Sequence, residues 1–457
     1  MTKRQIATYE QAVEYIMDIP RFTTKNTMED TRSFLHRLGD PDGALRILHV
    51  AGTNGKGSVC AYMRSVLEAA GRRVAVFTSP HLVDVRERFV IGGEMIGKDT
   101  FLKAFLQVYD SLDWSALAAG EGYHPTFFEY LFFMAMLVFS REKPDYCILE
   151  TGLGGRLDAT NAVARKEIAV ITHIGLDHVE YLGHTLEAIA GEKAGIIREN
   201  VPVVYDDSCP EAGDVIRERA RNLSAAAYPV SDTDYRFSKN SNKNIDFSYN
   251  SRYYGSVSLS IPTIARYQME NCSLALRALE VLAREQQEAL EENMLRLTPE
   301  IIKKGVSACF WPGRMEEVLP EVYLDGAHNE DGMRAFLESV AVDGHVGSRH
   351  LLFAVVADKD YPAMLRRIVH SGLFDRLSIT YLENKRAAKP EAINRELAAY
   401  PRIGVTQYPT VSEALHAILT DRPPHERIYI AGSLYLAGEV KAELRCRKEK
   451  RGNYDQF

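Results

Sequence analysis

Short apolar runs alternate with helix-length amphipathic segments along nearly the whole chain. "ALRILHV", "RRVAVFTS", "DYCILE" and "EIAVITHI" are rich in aliphatic and β-branched residues, and helical sequence lies between them. That alternation predicts a parallel sheet with helices on both faces. After the first run and a glycine-rich turn, "SVCAYMRSVLEAAG" reads as a helix ended by Gly71. From about Asp234 to Pro262 the rhythm breaks, and the polar, tyrosine-studded "FSKNSNKNIDFSYNSRYYGSVSLSIP" predicts a small antiparallel meander. "ARYQMENCSLALRALEVLAREQQEALEEN" then predicts one long helix, and the charged "TPEIIKKGVSACFWPGR" follows. Alternation resumes through "EVYLDG", "RHLLFAVV", "RLSITYLE", "RIGVTQY" and "RIYIAGS".

The expected architecture is therefore α/β in two parts. Residues 1–309 form a mostly parallel, helix-flanked sheet with the meander attached, and residues 310–457 form a smaller Rossmann-like α/β domain. A chain of 457 residues exceeds one ordinary core, in keeping with that division. The net charge of -7 and the pI near 6.1 argue against nucleic-acid binding and would repel anionic substrates at long range. Any phosphate or carboxylate site must then carry its own local positive field. The six cysteines are scattered without a C-x-x-C pair, so neither a zinc ribbon nor a disulfide framework is indicated, and a reducing cytosol fits best. The apolar run "FFEYLFFMAMLVF" is too short to cross a bilayer and contains Glu129, and the first twenty residues lack a signal-peptide core. A cytoplasmic protein without membrane contact is expected.

The candidate chemistry starts at "HVAGTNGKGSVCAYM". The common phosphate-binding loop reads G-x-x-x-x-G-K-[ST]. Here Val50 stands five residues before Gly55, and Gly57 separates Lys56 from Ser58. The physics of a phosphate cradle is still available. The N–H groups of Gly55 to Ser58 would line a concavity at a helix N-terminus, Lys56 would supply a mobile charge, and Ser58 a hydroxyl near magnesium. A plain glycine turn with a solvated Lys56 is the competing reading.

Further motifs follow in order: "SPHLVDVRER", "LGGRLDATN", "GLDH", "GEKAGI", "WPGR" and "DGAHN". Together with GTNGKGS they resemble the folylpolyglutamate synthase and dihydrofolate synthase family, a branch of the Mur-type ATP-dependent amide ligases. The resemblance implies a P-loop-type first domain in which Thr53, Asn54, Gly55, Lys56, Gly57 and Ser58 bind ATP. It implies further ATP contacts from Asn271 to the adenine edge, from Arg314 to phosphates and from Asp325 near the ribose. Ser79, Glu150 and His178 correspond to Mg²⁺ ligands, and Lys193 to a lysine carboxylated by CO₂, whose carbamate helps hold a second Mg²⁺. Lys56, Lys193 and His328 are the implied catalytic residues, with Asn329 a weaker neighbour of His328. Thr126, Leu157, Asp158 and Ala159 fall at the pterin end, and "SPHLVDVRER" looks like a mobile flap over the substrate. Tyr267 departs from the pattern, since the family often has histidine before Gln268.

Each residue also has a plainer reading. Ser79 is a turn residue before Pro80, Glu150 a strand-end carboxylate, and His178 a structural histidine. Lys193 is an ordinary helix lysine, Arg314 and Asp325 an inter-domain salt bridge, and Phe127 and Phe128 core. "VVADKDYPAML" and "LYLAGE" suggest packing alone, and "TTKNTMEDTRSFLHRLG" matches the family's pterin-side helix only loosely.

The resemblance implies ligation of L-glutamate to a folate or dihydropteroate carboxylate. ATP would convert that carboxylate to an acyl phosphate, which the glutamate amine then attacks. A monomer is expected, with ATP, glutamate and the folate as its small-molecule partners. A UDP-muramoyl-peptide ligase of the wider Mur group is the nearest rival; its extra N-terminal domain would not fit into the roughly fifty residues before the phosphate loop. A nucleotide-binding regulatory protein without ligase chemistry is the rival from another class.

Overall fold

The computed structural model describes residues 3–19, 26–241, 243–384, 386–400 and 404–452. The first sheet has eight strands: β1 (Ile47–Ala51), β2 (Val74–Phe77), β3 (Phe89–Ile91), β4 (Glu94–Met95), β5 (Tyr146–Glu150), β6 (Ile168–Ile171), β7 (Val203–Asp206) and β8 (Ala227–Val230). Their spatial order is β4-β3-β2-β5-β1-β6-β7-β8. Strands β2, β5, β1, β6, β7 and β8 run parallel, with β3 and β4 antiparallel at one edge. Strands β1, β2, β5, β6 and β7 are buried at every position, as expected where helices cover both faces. Pro229, which cannot donate to a ladder, is placed on the outermost strand β8.

The meander forms as the sequence predicts. Strands β9 (Tyr235–Ser241), β10 (Asn244–Ser251) and β11 (Gly255–Ile261) make an antiparallel sheet with β10 in the middle. Alternate β10 residues Ile245, Phe247 and Tyr249 point into the core shared with the long helix Gln268–Glu288. That helix is shorter than "ARYQ…EEN" suggests at both ends. The C-terminal sheet contains β12 (Glu316–Leu319), β13 (Val322–Leu324), β14 (Arg349–Phe353), β15 (Arg376–Thr380), β16 (Val405–Tyr408) and β17 (Arg427–Ala431). Its order is β12-β13-β17-β14-β15-β16, all parallel except β12.

Three stretches differ from their sequence reading. "RFVIGGEMI" is a β3–β4 hairpin, turned by Gly92 and Gly93 at positive φ, because two adjacent glycines allow the tight turn an antiparallel pair needs. The charged "TPEIIKKGVSA" is the helix Pro299–Ala308, capped by Thr298 with proline in its first turn. The short strand β12 was not anticipated, since four residues of mixed polarity carry no strand period. The greasy Phe127–Glu142 helix is apolar around its whole circumference because it is buried on all sides. Among the described residues no helix is long and apolar enough to cross a membrane.

Strand order places the chemistry. Neighbours β2, β5, β1 and β6 end on the same edge, so the segments after them meet there although they lie far apart in sequence. The floor beneath is set by the Lys56–Ala69 helix packing on Pro299–Ala308. Gly305 makes that approach possible, since a Cβ there would lie 2.5 Å from the Val66 Cα. Gly305→Ala is therefore expected to destabilise the fold. An overpacking cost of ~1–3 kcal/mol outweighs the roughly 1 kcal/mol gained in helix propensity. Thermal unfolding should show a lower midpoint, and a raised one would mean that the two helices separate freely.

Candidate active site

The turn after β1 is shaped by two close approaches. Gly55 caps the Lys56–Ala69 helix at φ 90°, and a Cβ on it would lie 2.2 Å from Asn271 Oδ1. Gly57 lies under the Trp311 ring, 2.8 Å from where its Cβ would stand. The turn is also stapled to the segment after β6. Thr53 N–H donates to the His173 carbonyl (2.8 Å), Thr53 Oγ1 to the Gly175 carbonyl (3.1 Å), and Thr172 Oγ1 to the Asn54 carbonyl (2.6 Å). Lys56 Nζ folds back onto the carbonyls of Gly52 (3.0 Å) and Thr53 (3.2 Å). The Ser58 hydroxyl is buried and accepts from Gln268 Nε2 (3.1 Å); Gln268 Oε1 in turn accepts from Asn271 Nδ2 (3.3 Å). Ser58 and Asn271 thus belong to one polar chain joining the loop to the long helix.

Glu150 ends β5 directly beside Val50 of β1, and one of its oxygens accepts the Ser79 N–H at 3.0 Å. Burial pushes its carboxyl above the usual range, against the pull of Lys56. His178 sits at φ 51° at the start of the one-turn helix Val179–Leu182. Burial lowers its imidazole to about 4, leaving it neutral and able to ligate. Lys193, near the end of helix Leu186–Ala194, is buried and donates to the Gly52 carbonyl at 2.7 Å. Burial, helped by the nearby charge of Lys56, brings its amine down to about 7.

The C-terminal domain closes the site through Asp177 of "GLDH". Asp177 accepts from Asn329 Nδ2 (3.0 Å) and from Lys359 Nζ, and His328 Nε2 lies 3.8 Å from it. Burial alone would raise this carboxyl, but His328, Lys359 and His178 hold it well below the carboxylate range. Burial also lowers the His328 imidazole to about 4. Asn329 and Asn54 exchange side-chain hydrogen bonds at 3.2 and 3.1 Å, tying the phosphate loop to the second domain. Asp325 is saturated by Tyr267 Oη (2.6 Å) and the N–H groups of Met315 (2.9 Å) and Ala327 (2.8 Å). The tyrosine that departs from the family pattern is thus an inter-domain hydrogen-bond donor. Arg314 donates to the Gly313 carbonyl (2.9 Å), and its charge acts on the buried Asp325 carboxyl.

Two cavities meet here. One, of about 420 Å³, is lined by the phosphate loop, Glu150, Lys193, Asn271, Arg314 and Asp325. The other, of about 830 Å³, is lined by Thr126, Leu157, Asp158 and Ala159, with Phe127 and Phe128. Ser79, His178 and His328 line both and form their common wall. Thr126 caps the Phe127–Glu142 helix. The Asp158 carboxylate accepts from Gly152 and Leu153 N–H (2.8 and 2.9 Å) and from Thr160, so it shapes the wall from within. Leu157 is exposed to the cavity side and Ala159 is buried. The expected flap is a hydrogen-bonded turn, in which Glu87 accepts the N–H groups of Leu82, Val83 and Asp84. Residues 23–25 of the N-terminal motif lie outside the described residues, while Asn26 lines the larger cavity.

Sequence reasoning passed over Asp177 and Lys359. Asp177 lies inside the GLDH motif, next to His178, the expected magnesium ligand. Lys359 of "VVADKDYPAML", taken as packing alone, is instead a buried cation on the site's central carboxylate. Arg386, on the wall of the larger cavity and bonded to Tyr435 Oη (3.0 Å), gave no motif signal.

The Mur ligase middle domain profile matches residues 50–279, and the Mur ligase glutamate ligase domain profile matches residues 313–434. The chain is 32% identical to the dihydrofolate synthase/folylpolyglutamate synthase of Bacillus subtilis, covering 96% of this chain and 99% of that one. It is 31% identical to the folylpolyglutamate synthase of Lacticaseibacillus casei, over 95% and 98% respectively. A solved complex of folylpolyglutamate synthase with AMPPCP and folate superposes with a TM-score of 0.82 at 30% identity, covering 96% of this chain and 100% of that one. The E. coli FolC complex with DHPP and ADP gives 0.82 at 26% identity, over 97% and 99%. With this phosphate loop, these two cavities and these relatives, the chain belongs to the folylpolyglutamate synthase and dihydrofolate synthase family of Mur-type ATP-dependent ligases.

Proposed function

We propose that this protein joins L-glutamate to the carboxylate of a folate or a dihydropteroate, using ATP through an acyl phosphate and releasing ADP and phosphate. The observation that carries the reading is the common wall. ATP in the smaller cavity and the pteridine-bearing acid in the larger one would meet at Ser79, His178 and His328. A carboxylate has no good leaving group, so its oxygen must first take the γ-phosphoryl group. The glutamate amine then forms the C–N bond while the C–O bond to phosphate breaks, and phosphate leaves with the electron pair.

In this reading Lys56 swings from the Gly52 and Thr53 carbonyls to the triphosphate, and the N–H groups of Gly55 to Ser58 cradle it. Asn271 faces the adenine, Arg314 the phosphates, and Asp325 holds the ribose end through the Tyr267 link. Ser79, Glu150 and His178 fit a hard cation. They offer hydroxyl, carboxylate and neutral imidazole on one cavity wall, and the buried Glu150 carboxyl needs a positive partner to stay ionised. Magnesium there would supply charge neutralisation of the phosphates. Lys193 suits a carbamate, because an amine near 7 is about half uncharged in neutral solution and can attack CO₂, losing a proton as the N–C bond forms. Such an anion beside Lys56 would offer oxygens to a second magnesium. Asp177 keeps His328 and Lys359 oriented toward the acceptor. A boundary at 309/310, a monomeric state and a cytoplasmic location complete the proposal.

Three outcomes test it. Lys56→Ala should lower glutamate-dependent ADP release by at least ~10²–10³, and unimpaired turnover would remove the loop from the reaction. Lys193→Ala should be inactive, with added bicarbonate restoring nothing. Full activity in that variant would reject the carbamate. A coupled ADP assay offering dihydropteroate, a reduced folate or a UDP-muramoyl peptide should respond to a pteridine acid with glutamate. Response to the UDP-sugar alone would make this a peptidoglycan-precursor ligase, and silence with every acceptor would point to a regulatory nucleotide binder.

A further inference from the structure

The nucleotide cavity carries a second group of donors that the ligase chemistry does not use. His173 follows β6, Asp206 ends β7, and Glu270 lies in the first turn of the Gln268–Glu288 helix. One ligating atom from each lies within 4.8 Å of the other two. His173 Nδ1 is 3.2 Å from Asp206 Oδ2, and its Nε2 is 4.0 Å from Asp331 Oδ2, on helix Glu330–Ala341 of the second domain. Asp206 is fixed from behind by the Ser208 N–H (2.9 Å) and hydroxyl (2.8 Å).

We infer that His173, Asp206 and Glu270 form a binding site for a first-row divalent cation, zinc foremost, with Asp331 of the opposite domain as the outer-sphere partner on the far nitrogen of the imidazole. The donor set argues for this class. One imidazole and carboxylates at bond lengths of ~2.0–2.2 Å suit a four-coordinate zinc, whereas magnesium demands near-ideal octahedral geometry and keeps several waters. Donors around a tetrahedral ion of that size stand within a few ångströms of each other, as these atoms do.

None of these residues belongs to the Ser79, Glu150, His178 and Lys193 group, so the two sites are separable. The His173 carbonyl accepts the N–H groups of Thr53 and Asn54, at 2.8 and 3.3 Å. An ion held here would tie the domain interface to the backbone of the phosphate loop.

The full-length protein, stripped with a chelator and returned to excess MgCl₂, is titrated with ZnCl₂ by calorimetry. One tight equivalent is expected in the wild type and in Glu150→Gln. Asp206→Asn and His173→Ala should bind more than ~100-fold more weakly, beyond the loss usual for an outer-sphere partner. Substituting Co²⁺ should give the wild-type protein a visible absorption band from nitrogen–oxygen ligation. Glu270→Gln, whose shape is kept, should weaken that band. Absence of saturable zinc in the wild type would overturn the proposal. So would undiminished binding in Asp206→Asn and His173→Ala, or loss only in Glu150→Gln, which would put the ion among the magnesium donors.

Discussion

Two lysines donate to one oxygen. Lys56 Nζ and Lys193 Nζ both point at the Gly52 carbonyl, at 3.0 and 2.7 Å. Two ammonium groups so close repel each other, and a buried one has little water to screen it. The strain is relieved when the deeper amine gives up its proton, and Lys193 is the buried member. Burial first, and the charge of Lys56 on the phosphate loop second, bring the Lys193 amine down to about 7, far below a lysine on a helix surface. The loop in turn keeps that position only because it is stapled to residues 172–175 after β6.

The same economy governs the acidic side of the site. Glu150 and Asp177 are both buried carboxylates, yet burial has opposite outcomes for them. Glu150 faces Lys56 and a backbone N–H, too little to offset its desolvation, so its carboxyl is raised. Asp177 gathers Lys359, His328 and Asn329 and stays ionised. A carboxylate short of positive charge suits a cation-binding role, while one already satisfied serves to orient its partners. The difference comes from the second domain, which reaches Asp177 and leaves Glu150 open to the cavity.

Contacts across the domain interface therefore carry chemistry as well as stability. Asn54 and Asn329 pair across it, Tyr267 donates to Asp325, and Lys359 reaches Asp177. Trp311, just before the second domain's first strand, covers Gly57 of the phosphate loop. Both cavities are bounded by residues of the two domains, so neither domain holds a complete site alone.

Strand and helix periodicity, the meander and the ordered motifs were legible in the amino-acid sequence, because they rest on local side-chain pattern and on residue types that backbone geometry demands. Gly55 is one such residue, required by a left-handed turn against Asn271. The β3–β4 hairpin and β12 were not legible, since short edge strands are stabilised by pairing with a neighbour and not by their own period. Nor were Lys359 as the partner of Asp177, the saturation of Asp325 and Asp158, or the company of His173, Asp206 and Glu270. The Asp158 bonds are local to its own loop, while the others depend on which distant segment arrives at the C-terminal edge of the sheet. A residue's type is written in the chain, but its charge state and its partners are set by desolvation and Coulomb energy, which exist only once the two domains have closed around it.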